Sequence, residues 1–128
     1  MTYADVVEAV RATIAAYTHA LDQGHTDDVL ATYWPDGVFD FPALGTYEGL
    51  DALRGAYQSW TPRVPQRHLV MNTLVTEWSD DTAQALSDVV LLVKGDRGWS
   101  VQFVAKYHDS LQQRDGEWKF VRRAVDAA

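Results

Sequence analysis

The chain has 128 residues, is 47% hydrophobic and contains no cysteine. This suits one domain spanning residues 1–128 and excludes disulfides, thiolate chemistry and cysteine metal sites. Eleven Lys and Arg against eighteen Asp and Glu give a net charge of −7, so nucleic acid is not an expected partner: phosphate binding relies on clustered cations, and Arg122-Arg123 is the only adjacent basic pair.

The opening MTYADVVEAV lacks a basic and a leucine-rich region, and the longest apolar run, Val89 to Val93, is far too short to span a bilayer. A cytoplasmic protein with no membrane partner is expected. Val6, Val10, Ile14, Tyr17 and Leu21 recur at helical spacing, which predicts an amphipathic helix capped by Thr2 or Asp5 and ended by Gly24. A second helix is predicted from about Thr26 to Trp34. Pro35-Asp36-Gly37 reads as a turn, Val38 to Phe41 as a short strand closed by Pro42, and Gly45 to Gly49 as another turn. Asp51 is placed to cap a third helix running to Trp60.

Beyond Pro65 the hydrophobic period changes from 3.6 to 2. Strands are predicted at about 67–78, 83–94, 99–111 and 117–125, joined by short turns at Ser79-Asp80-Asp81, Gly95 to Gly98 and Arg114-Asp115-Gly116. Successive strands are therefore antiparallel neighbours. The expected fold is α+β: a curved, cone-shaped sheet, antiparallel or mixed, with three N-terminal helices on its concave side and room for a ligand between the layers.

Five polar residues stand out. Tyr17 lies on the apolar stripe of the first helix, and Asp22 follows near its end. His68 and Asn72 share one face of a strand by simple alternation, and Asp88 opens the run Asp88-Val89-Val90-Leu91-Leu92-Val93. A histidine beside an aspartate in a pocket is a general base that needs no metal, and Asp88 facing inward is its natural partner. Each residue also has a bland reading. It has His68 and Asn72 satisfying backbone groups, Asp88 exposed at an edge, and Asp22 serving the helix end. Trp34, Phe41, Tyr57, Trp60 and Tyr107 are candidate cavity walls, Trp118 and Phe120 candidate core. Trp78 and Trp99 lie near turns and suit a rim or interface. Four scattered histidines without an HExxH pattern give no reason to expect a metal.

AAYTHALDQGHTDDVLATYWPDGVFDFP at 15–42, GTYEG at 45–49, RHLVMN at 67–72, ALSD at 85–88, KYHDSL at 106–111 and DGEWKFVRR at 115–123 occur in an order that resembles the SnoaL-like branch of the nuclear transport factor 2-like superfamily. The resemblance implies a cone-shaped barrel with an apolar pocket, no cofactor, and a homodimer formed through the outer face of the sheet. It also implies acid–base chemistry on a hydrophobic ring compound, by dehydration, isomerisation or cyclisation. The bacterial bile-acid and fungal scytalone dehydratases work with a pocket His beside an Asp, helped by Tyr and Asp on the first helix. Those positions match His68, Asp88, Tyr17 and Asp22. The ketosteroid isomerases match at the oxyanion tyrosine, Tyr17, but their catalytic base falls on Phe41 and their second acid near His108. The catalytic set implied is thus His68, Asp88, Tyr17 and Asp22, with Asn72, Trp34, Phe41, Tyr57, Trp60, Tyr107 and His108 around the substrate. A non-catalytic binding or assembly module remains the alternative, favoured if His68 and Asp88 share no cavity.

Overall fold

A computed structural model describes residues 1–127. The first helix, α1 (Tyr3–Gln23), starts with a reciprocal capping box in which Thr2 accepts from the Asp5 amide and Asp5 accepts from the Thr2 amide. It stops at Gly24, whose left-handed backbone (φ 73°) lets its N–H cap the carbonyls of Ala20 and Leu21. Val6, Val10, Ile14, Tyr17 and Leu21 form the buried stripe, as their spacing predicts. Helix α2 (Thr26–Leu30) is shorter than expected, because Tyr33 and Trp34 already belong to strand β1 (Tyr33–Phe41).

Two predicted turns are strand. Pro35-Asp36-Gly37 lies within β1, where the pairing register shifts between Tyr33 and Val38. Proline is tolerated there because a bulge leaves no ladder bond to be lost. Gly45–Glu48 forms β2, the antiparallel partner of β1, where a turn was expected. Helix α3 (Leu50–Ser59) begins at Gly49 without a side-chain cap, so Asp51 acts only as an acidic first-turn residue.

Four long strands follow: β3 (Gln66–Trp78), β4 (Thr82–Gly95), β5 (Gly98–Arg114) and β6 (Glu117–Asp126). They pair as an antiparallel meander, and the six-stranded order is β2-β1-β6-β5-β4-β3. The β1–β6 pair is parallel and joins the two ends of the fold. The helices cover the concave face, and the core between the layers includes Val6, Tyr17, Leu53, Val89, Leu111 and Phe120. Trp118 is also buried. Among the described residues no helix is long and apolar enough to cross a membrane.

Bulges decide which side chains look inward, since one extra residue reverses every following side chain. On β3 the register shifts between Met71 and Leu74, and Asn72 takes a positive φ of 57°. Gln66, His68 and Val70 therefore point to the concave side, but so do Thr73 and Val75 beyond the bulge, while Asn72 and Leu74 are exposed. On β6 the shift between Ser110 and Leu111 of its partner skips Val121 and turns Arg123, not Arg122, into the core.

Candidate active site

Asp22 occupies the last turn of α1, where a carboxylate meets the negative end of the helix dipole. Three donors offset that placement. The His68 amide donates to Oδ2 (2.8 Å), His68 Nδ1 to Oδ1 (2.6 Å), and Gln66 Nε2 also to Oδ1 (3.1 Å). The side chains of Asp22 and His68 are 7% and 9% exposed. A carboxylate only accepts, so the neutral imidazole carries its proton on Nδ1 and leaves a lone pair on Nε2.

His68 lines a cavity of about 300 Å3 between α1, α3 and the sheet. Phe39, Phe41, Trp60, Leu91 and Phe103 supply its apolar wall, and Leu44 stands at its mouth. Three hydroxyls run in series beneath: Tyr17 to Tyr57 at 2.7 Å and Tyr57 to Tyr33 at 2.8 Å. Three hydroxyls carry three hydrogens, and two bonds consume two of them. Tyr17 and Tyr57 line the cavity and Tyr33 does not, so the spare hydrogen can be offered to a bound oxygen. Burial raises the pKa of Tyr17, which the positive charge of Arg123 only partly counters. Burial likewise holds Tyr33 and Tyr57 well above the ordinary tyrosine value. All three are neutral donors at physiological pH.

Behind the cavity lies a buried ion pair. Arg123 donates from Nε and Nη2 to Asp109 at 2.9 and 3.1 Å, with both side chains fully inaccessible. Its guanidinium carbon lies 3.6 Å from the Tyr107 ring centre and 4.4 Å from that of Tyr17, a cation–π arrangement. Burial would depress Arg123, but Asp109, Tyr107 and Tyr17 together more than offset it, and the guanidinium stays charged.

Several expected site residues lie elsewhere. Asp88 does not pair with His68. Strand alternation places it on the outer face opposite Met71, where Asn72 Nδ2 donates to it at 2.8 Å and Lys106 Nζ at 2.7 Å. These two partners hold its carboxyl below the ordinary range. Asn72 leaves the pocket because of the bulge. His108 is on the outer face, with its side chain 54% exposed. Trp34 is no cavity wall: it donates to the Gln112 carbonyl, and its ring meets the cations of Arg114 and Lys119. Tyr17, Phe41, Tyr57, Trp60, Tyr107 and His68 do meet at the cavity. Asp22, not Asp88, completes the His–Asp pair. Tyr33, Gln66, Asp109 and Arg123 were missed. Of these, Asp109 shares a face with Tyr107 and Leu111 and was the one open to simple alternation.

Among the described residues no group of three or more His, Asp or Glu side chains is arranged to hold a metal ion. A family model described as SnoaL-like domain matches residues 2–124. A gamma-hexachlorocyclohexane dehydrochlorinase from Sphingobium indicum is 29% identical over 109 residues, covering 81% of this chain and 69% of the relative. A protein from Catenulispora acidiphila, solved in complex with S-DNPA, is 26% identical with a TM-score of 0.87, covering 97% of this chain and 94% of that one. A nuclear transport factor 2-like protein with a cystatin-like fold from Novosphingobium aromaticivorans is 21% identical with a TM-score of 0.85, covering 94% and 80%.

Proposed function

The chain belongs to the SnoaL-like branch of the nuclear transport factor 2-like superfamily, and from that premise we propose that residues 1–128 form one SnoaL-like domain catalysing lyase-type acid–base chemistry on a hydrophobic ring compound. The observation that carries this reading is His68, held by Asp22 from behind, in the wall of an apolar cavity that also holds the tyrosine hydroxyls. His68 Nε2 takes a proton from carbon. The electron pair left behind forms the new double bond as the leaving group departs from the next carbon, or moves onto a carbonyl oxygen that accepts the one spare hydrogen of Tyr17 or Tyr57. Asp22 orients the imidazole and stabilises its charged form. The proton then returns to the leaving group or to carbon. A relative whose name denotes removal of hydrogen chloride supports elimination over the other reactions of the fold.

The test needs no knowledge of the natural substrate. 1-Tetralone incubated in D2O should exchange its α-protons faster with the protein than with the heat-unfolded protein, as followed by proton NMR. No acceleration across a panel of cyclic ketones would favour the binding-module reading instead. Tyr17→Phe (Y17F) should slow this exchange by about tenfold, less than the roughly hundredfold or more lost with a sole oxyanion donor, because Tyr57 remains to donate.

The outer face of the sheet supports a homodimer. Leu69, Val90 and Val104 align across β3, β4 and β5, flanked by Arg67, Leu92 and Val101 in the next register and by exposed Met71 and Leu74. Val75 and Leu91 are not part of this surface: they lie in the core and the cavity wall. An apolar sheet face of this extent is covered in a stable assembly. Light scattering should give twice the 14.4 kDa monomer mass, and the double variant Leu69→Lys with Val104→Glu should give the monomer. A wild-type monomer at micromolar concentration would refute the dimer.

A further inference from the structure

Gln66 is the one cavity residue whose amide orientation is dictated by its partner. Its Nε2 donates to Asp22 Oδ1 at 3.1 Å. Since a carboxylate cannot donate, the nitrogen must face Asp22 and Oε1 must face away from it. No side chain or amide among the described residues donates to Oε1, and the only buried side-chain polar atom left without a partner is Arg123 Nη1. Gln66 Oε1 is therefore accessible, and Gln66 lines the cavity.

The cavity is thus polarised. Tyr17 and Tyr57 between them offer one hydrogen on one side. Tyr107, which also lines it, makes no side-chain hydrogen bond among the described residues and adds a second donor. Beside the His68–Asp22 pair stands an acceptor that cannot be turned into a donor without breaking the bond to Asp22. An apolar pocket selects for size and area, whereas a fixed acceptor discriminates sharply against ligands that bring it no hydrogen.

Building on the catalytic reading of this cavity, we propose that Gln66 is a specificity-determining residue, accepting a hydrogen bond from a hydroxyl on the substrate ring at the edge facing His68. The substrate class is then a hydroxylated cyclic ketone or its equivalent, with one oxygen accepting from the tyrosines and a separate hydroxyl donating to Gln66. The hydroxyl held by Gln66 is a spectator, because a departing hydroxyl needs a donor rather than an acceptor.

The test measures binding alone. Calorimetric titration compares 1-tetralone with its 5-, 6- and 7-hydroxy isomers and their methoxy counterparts. At least one hydroxy isomer should bind the wild-type protein about fivefold to tenfold tighter than 1-tetralone, the range of one net hydrogen bond. Its methoxy counterpart should show no such gain. The near-isosteric Gln66→Met (Q66M) should lose the preference, binding the hydroxy isomer no tighter than it binds 1-tetralone. A wild type indifferent to the hydroxyl, or a preference that survives in Q66M, overturns the proposal. Should Q66M fail to fold, the hydroxy-against-methoxy comparison on the wild type still decides it. Because no turnover is involved, loss of the hydroxyl preference refutes the role of Gln66 and leaves the catalytic reading standing. Absent α-proton exchange refutes catalysis and leaves the binding preference standing. Failure of 1-tetralone itself to bind overturns the cavity assignment and this proposal together.

Discussion

Replacing His68 by Ala (H68A) is expected to bring α-proton exchange down to the level of the unfolded control, a loss of about a thousandfold or more, while the protein stays folded. A general base in position is worth roughly 10^2 to 10^4 in rate, and no other cavity side chain can take its place. Tyr17 and Tyr57 are held above the ordinary tyrosine value by burial and remain protonated, and Gln66 has no basic nitrogen. Folding should survive because Asp22 Oδ2 accepts from the backbone amide of residue 68, which the substitution retains. His68→Asn (H68N) is the stricter test, since its side-chain amide can donate to Asp22 as Nδ1 does but has no lone pair to act as base. Asp22→Asn (D22N) should lose a comparable factor by leaving the imidazole without a carboxylate to fix its tautomer. Near-wild-type exchange in H68N would remove His68 from the mechanism. Normal exchange in D22N with loss in H68N would leave a histidine acting alone.

Fold and site were legible to different depths for identifiable reasons. The stripe from Val6 to Leu21 and the four long strands follow from periodicity, and their short turns force antiparallel neighbours. What alternation could not carry was the bulges. On β3, His68, Asn72 and Leu74 are even-numbered and share a face only in an unbroken strand. The register shift after Met71 turns Asn72 and Leu74 outward. On β6, the shift at Val121 hides a charged residue in the core, so the pair Arg122-Arg123 reads as surface until the register is known. The parallel β1–β6 contact joins residues about eighty positions apart, beyond any local signal. Asp22 was recognisable as a first-helix site residue, but its pairing with His68 depends on where β3 begins relative to the end of α1. Asp88 took that role in the sequence reading because nothing local shows which face of β4 meets the helices.

Replacing Arg123 by Met (R123M) is expected to cost about 3–5 kcal/mol of stability at pH 8, the range for breaking a buried ion pair from one side. The reason is Asp109, which is inaccessible and among the described residues has no donor other than Arg123. Burial already raises the Asp109 carboxyl above its ordinary value, against the pull of Arg123. Removing the cation leaves burial unopposed and raises it further. A group whose folded pKa lies above its unfolded value stabilises the fold below the unfolded pKa, and that contribution is lost as pH rises through the folded pKa. The deficit of R123M should therefore be largest at pH 8 and shrink as pH falls toward the ordinary carboxylate range. The double variant Arg123→Met with Asp109→Leu should recover most of the loss, since a buried pair exchanged for apolar groups of similar volume is often neutral or stabilising. Urea unfolding at pH 5 and pH 8 checks both points. An equal deficit at the two pH values would show that a buried carboxylate is not its source, and failure of the double variant to recover would place the cost in lost packing against Tyr17, Tyr107 and Phe120. If the double variant proves as stable as the wild type yet exchanges α-protons more slowly, the pair is kept for its field: a fixed cation 4.4 Å from the Tyr17 ring centre favours negative charge on the oxygen that this tyrosine holds.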